Sequence, residues 1–159
     1  NRWQRRQGIA GCAKHFPCGG RSTADPHHTL PIVTTKTEDI LRQDVIPYTA
    51  LMPELDAIMI SHLHFPLIDQ DGLPASLSRN IIQGILRDRL GFDNHLILSD
   101  DLDMGAIRET YGTADAARMA IEAGSDLFLL CHEFMNAADS VAQLATLPPS
   151  IFSLTRRFL

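Results

Sequence analysis

Four times along this chain an apolar run ends abruptly in polar, chemically capable residues. The runs are Gly8 to Phe16 (GIAGCAKHF), Asp56 to Phe65 (DAIMISHLHF), Asn94 to Leu102 (NHLILSDDL) and Asp126 to His132 (DLFLLCH). Continuous apolar runs of this length suit strands buried on both faces, as in parallel sheets. Helix-patterned stretches lie between them. Thr37 to Met52 carries Ile40, Leu41 and Val45 on one side until Pro47 ends or kinks it. Ser78 is placed to cap a helix with an Ile81, Ile82, Ile85, Leu86 stripe. Thr113 is placed to cap another, with Gly124 where a helix C-terminus takes positive φ. The alternation predicts an α/β chain with parallel strands.

Such a sheet is either open and doubly wound or closed as a barrel, and both put their sites at the C-terminal ends of the strands. No G-x-G-x-x-G loop follows a strand, which argues against dinucleotide binding. A closed (β/α)8 barrel takes about 250 residues, so four βα units in 159 residues are half of one. The chain also opens on Asn1 rather than Met, as an excised or processed piece would. Its net charge of −5, with Arg2, Arg5 and Arg6 as the sole basic cluster, argues against a nucleic-acid partner. No apolar run approaches the roughly 18–20 residues that span a bilayer. Cys12, Cys18 and Cys131 are an odd count without a close pair, which points to reduced thiols and a cytoplasmic setting.

Three stretches have the residue types for chemistry. In Lys14 to Pro31 (KHFPCGGRSTADPHHTLP), Asp25 stands two residues from His27, close enough to accept its Nδ1–H, fix its tautomer and raise its basicity. Pattern alone sits nearer to an ordinary Asp-Pro turn with solvated histidines. Ser99 to Asp103 (SDDLD) gathers three carboxylates at a strand end, where a carboxylate can attack an anomeric carbon. Asp101 and Asp103 also suit helix capping, which leaves Asp100, nearest the strand, for chemistry. His62 and His64 alternate along a strand and could share a metal ion, although one satisfied and one exposed histidine is the plainer account.

Together, KHFP, the D-x-H step, SHLHFP, PASLS, LGFDNHLILSDDLDMGAI and EAGSDLFLL resemble the family 3 glycoside hydrolases, most closely the bacterial β-N-acetylhexosaminidases that act on cell-wall muropeptides. The likeness runs from Gly8 to His132 and rests on the motifs jointly. It implies a (β/α)8 TIM-type barrel and a retaining double displacement. Asp100 would be the nucleophile, His27 the acid/base and Asp25 its dyad partner, with Lys14 and His15 on the sugar hydroxyls. The reaction it implies needs no metal and no organic cofactor. The family usually reads KHFPGHG, where this chain has Cys18 and Gly19. The family's first barrel strands, which carry an Asp and Arg residues for the sugar, have no counterpart here. Residues 1–159 therefore read as one partial catalytic domain, the C-terminal half of the barrel with about its last four βα units.

The leading expectation is removal of terminal non-reducing β-N-acetylglucosamine from peptidoglycan fragments, with a muropeptide or chitooligosaccharide as partner. The alternatives are a metal-dependent hydrolase using His62 and His64, and a truncated homologue that is not catalytic. Half a barrel exposes two strand edges and an inner face that residues such as Met59 or Ile97 would line. Such a piece is expected to be inactive alone and to aggregate or pair with a second copy.

Overall fold

The computed structural model describes residues 2–22 and 24–152. Four strands, β1 (Cys12–Phe16), β2 (Ala57–Ile60), β3 (Leu96–Asp101) and β4 (Leu127–Leu129), form one parallel sheet in the order β1-β2-β3-β4. The order never reverses. Each strand joins the same advancing edge, as in a singly wound barrel wall and unlike a doubly wound sheet with its switch point. The strands are shorter than the apolar runs because the polar tails leave the sheet as loops.

The helices are α1 (Arg2–Arg6), α2 (Thr37–Asp39) with a π-type turn over Ile40–Asp44, α3 (Ile46–Leu51), α4 (Asn80–Arg89, wound as a π-type helix), α5 (Gly105–Tyr111), α6 (Thr113–Ala123), α7 (Asn136–Leu144) and α8 (Pro149–Phe152). Pro47 falls in the first turn of α3, where a missing N–H costs nothing, so the predicted long helix is broken just before it. The Ser78 hydroxyl accepts the Ile81 N–H at 3.3 Å, close to its predicted capping role. Gly124 ends α6 at φ 113°. Thr113 differs from expectation. It begins α6, and its hydroxyl donates to Asp103 Oδ1 at 3.2 Å instead of capping the helix. Among the described residues no helix is long and apolar enough to cross a membrane.

The core lies between the sheet and its helices. Ile58, Ile60 and Ile97 are fully buried against Ile81, Ile82, Leu86 and Phe92, each side chain contributing about 1.5–3 kcal/mol by leaving water. A second cluster joins Leu77, Leu102 and Ile107 to Ala116, Ala117 and Ala120, whose small side chains let α6 approach closely. The register pairs Ile58 with Ile97 and Met59 with Leu98. Paired residues of neighbouring strands share a face, so Ile97 lies under the helices while Met59 lies on the opposite face. The expectation that both would line the inner face is corrected for Ile97.

Candidate active site

Side-chain alternation along β3 separates its two adjacent carboxylates. Asp100 shares the face of Leu98 and Met59, away from the helices, whereas Asp101 takes the helix side and is buried. Asp100 Oδ1 accepts the Asp101 N–H at 2.9 Å, and Oδ2 lies 3.3 Å from His15 Nε2. His15 comes from β1, where the pairing with β2 slips between Ala13 and Phe16. Two residues there oppose one, a bulge, and both Lys14 and His15 line the space in front of Asp100. Burial pushes the His15 pKa down and favours the neutral ring, partly opposed by the Asp100 charge.

The loop after β1 brings the second group. Asp25 Oδ1 accepts the His27 backbone N–H at 2.9 Å and stands 2.7 Å from His27 Nδ1. Both side chains are mostly exposed, at 59% and 65%. The bonds from the His27 backbone and ring hold the Asp25 carboxyl below its ordinary pKa, so it stays ionised and faces Nδ1 as an acceptor. That leaves Nε2 free to work on a substrate. His27, Asp100, Lys14 and His15 line one cavity of about 400 Å³, whose wall also includes Ser61, His62 and Met104. At the start of the loop, Arg21 Nε donates to Asp44 Oδ2 at 2.7 Å and Arg21 Nη2 donates to Gln43 Oε1 at 2.8 Å.

The sequence-predicted residues therefore converge, and the alternative in which His62 and His64 share a metal ion does not fit the geometry. His62 is buried. Its Nε2–H donates to the Asp101 carbonyl at 2.8 Å, and its Nδ1 lies 2.7 Å from the Ser76 hydroxyl, so both nitrogens are engaged. His64 instead pairs its Nδ1 with the Leu73 carbonyl at 3.1 Å. The shared-metal reading of His62 and His64 is corrected: His62 lines the cavity with both ring nitrogens already bonded within the protein. Asp101 and Asp103 do not cap α5, whose N-cap Met104 has no side-chain bond to the helix. Asp101 accepts the N–H groups of Asp103 and Cys131, and Asp103 accepts those of His132 and Glu133. His132 Nδ1 lies 2.6 Å from Asp101 Oδ2. The ligand atoms of Asp101, Asp103 and His132 lie close enough together to hold an ion, yet these bonds already make them a knot tying the loop after β4 to β3. No local spacing signals the Asp101–His132 pair, so sequence reasoning misses it. Ser61 could have been found from its place beside His62, whereas Met104 carries no signal.

Residues 3–150 match the family described as glycosyl hydrolase family 3 N terminal domain. A β-hexosaminidase of Bordetella avium is 36% identical over 150 residues, covering 94% of this chain and 42% of that protein. One from Pseudomonas aeruginosa strain LESB58 is 38% identical over 146 residues, covering 90% and 43%. The family 3 β-N-acetylglucosaminidase structure from Paenibacillus sp. str. FPU-7 superposes with TM-score 0.88 at 33% identity, over 98% of this chain and 32% of its own. NagZ from Neisseria gonorrhoeae, solved with N-trifluoroacetyl-D-glucosamine, superposes with TM-score 0.76 at 29% identity, over 97% and 42%. The chain thus spans about two fifths of the length of the curated relatives it matches.

Proposed function

The chain belongs to the glycosyl hydrolase family 3 N-terminal domain family, and from that premise we propose that it is the C-terminal half of a barrel that removes terminal β-N-acetylglucosamine with retention. The observation that carries the reading is the convergence of Asp100 and the Asp25–His27 pair on one cavity. Asp100 Oδ2 attacks the anomeric carbon as the bond to the leaving oxygen breaks, giving a glycosyl ester. Protonated His27 keeps Nδ1–H on Asp25 and gives its Nε2 proton to the leaving oxygen. Neutral Nε2 then takes a proton from water, whose oxygen attacks the same carbon and frees Asp100. Lys14 and His15 hold sugar hydroxyls beside the nucleophile.

The substrate class is an N-acetylglucosamine-terminated muropeptide or chitooligosaccharide, in keeping with a relative solved with an N-acylglucosamine. The three cysteines are free, which supports a reducing, cytoplasmic setting. The free edges of β1 and β4 are where the other half of the barrel, or a second copy, would pair. Trapping the full-length protein with an activated fluoro-glycoside and sequencing the labelled peptide tests the reading. The label is expected on Asp100, and a label on another residue removes the nucleophile assignment.

A further inference from the structure

The loop that carries Asp25 and His27 is exposed and has a specific seat. The backbone carbonyls of His27 and Pro26 accept the N–H groups of Gly105 at 3.2 Å and Ala106 at 3.3 Å, the first two residues of α5. α5 follows β3 directly, so the seat is tied to the strand that presents Asp100. A Cβ at position 105 would stand 2.6 Å from the His27 carbonyl oxygen and 3.3 Å from that of His28. Both are backbone atoms, which cannot swing aside as a side-chain tip would.

Its backbone is not in the left-handed region, so no positive φ calls for glycine at the head of α5. At Gly19 and Gly20, in the same loop, an added Cβ would meet nothing within 4 Å. Position 105 differs from them because the loop backbone occupies the space that a side chain would need.

We propose that Gly105 is a positioning residue: by leaving room for the His27 and His28 carbonyls, it seats the Asp25–His27 loop and sets where His27 stands relative to Asp100. The inference rests on the assignment of His27 as acid/base. Any side chain at 105 pushes the loop off its two amides and displaces the proton donor while Asp100 stays in place. The defect is therefore one of proton delivery, with sugar binding and nucleophilic attack kept.

The test compares Gly105→Ala with His27→Ala in the full-length enzyme, measuring kcat/KM, which reports the first chemical step. On an alkyl N-acetylglucosaminide, which needs leaving-group protonation, Gly105→Ala is expected to lose on the order of 10²-fold, the scale of a misplaced acid. On the 2,4-dinitrophenyl glycoside, which needs none, it should stay within about threefold of wild type. Amide exchange over residues 24–30 should rise while the thermal midpoint holds, since alanine favours the helix. An equal loss on both substrates, or no loss on either, overturns the inference. His27→Ala keeps the two readings apart. If it shows the leaving-group dependence and Gly105→Ala does not, the positioning role alone falls. If His27→Ala lacks that dependence, the acid/base assignment falls and takes the inference with it.

Discussion

Asp126→Ala removes the carboxylate partner of a buried arginine. The Arg87 side chain, on α4, is 8% exposed and that of Asp126, just before β4, is 5% exposed. Arg87 Nη2 donates to Asp126 Oδ2 at 2.9 Å, and Nε and Nη2 donate to the Gly124 carbonyl at 3.1 and 2.9 Å. Asp126 Oδ2 also accepts the Ile97 N–H at 2.8 Å, so one carboxylate joins α4, β3 and the turn into β4. Leaving a buried guanidinium without its counter-charge costs about 3–5 kcal/mol. The stranded Ile97 amide adds about 1–3 kcal/mol, and because the two losses share one side chain they do not sum fully. A net loss of about 4 kcal/mol is a large part of the 5–15 kcal/mol typical of a domain, and corresponds to a fall in Tm of about 5 °C in a protein as long as the relatives. Replacing both partners, Arg87→Met with Asp126→Leu, should recover most of it, since an apolar pair of similar volume carries no desolvation cost. Calorimetry of the full-length protein with the single and double substitutions decides the matter. A fall of less than about 2 °C for Asp126→Ala, or a double variant worse than the single one, would refute the reasoning.

Other outcomes follow from the site. Asp25→Ala should cut turnover by about 10²-fold or more with an unchanged melting curve, because Asp25 orients His27 from an exposed turn; wild-type turnover would show that His27 needs no orienting carboxylate. Asp100→Asn should abolish the glycosyl ester and be worse still, while Asp101→Asn should mainly destabilise through the loop after β4; the reverse ranking in paired activity and thermal assays would mean that the wrong neighbour was assigned. Burial holds the His62 pKa below its ordinary value, partly offset by its bond to the Asp101 carbonyl. The unfolded chain binds that proton below pH about 6.5 while the folded one does not, so stability is lost as pH falls, by up to about 1.4 kcal/mol per unit. Denaturant titrations between pH about 7 and 5 should give a shallower slope for His62→Gln, and an unchanged slope would clear His62 of the effect. The isolated 159-residue chain should be inactive and should aggregate or pair through its open edges; a soluble, active monomer on size-exclusion chromatography would show that the absent strands are dispensable.

The βα alternation was legible because it rests on local spacing: apolar runs of strand length, helix-period stripes, and Pro47 and Gly124 where backbone chemistry demands them. The D-x-H contact was within reach of local spacing, since two residues suffice to bring Asp25 Oδ1 to His27 Nδ1, although pattern alone sat nearer to an Asp-Pro turn with solvated histidines. The sequence also marked the strand end at Asp100. What tertiary structure alone decided are the properties set by pairing between distant segments. Packing of the helices on one face of the sheet decided that Ile97 is covered by them and that Asp101, not Asp100, is the buried carboxylate. A slip in β1 turned both Lys14 and His15 toward the cavity. His62 has the spacing of a ligand, yet its role is fixed by Ser76 and by a carbonyl on another strand. Gly105 meets the His27 carbonyl only once the chain has folded back across the sheet. Local spacing determines which side of an element a residue takes, whereas burial and hydrogen-bond partners belong to whichever distant backbone the fold lays against it.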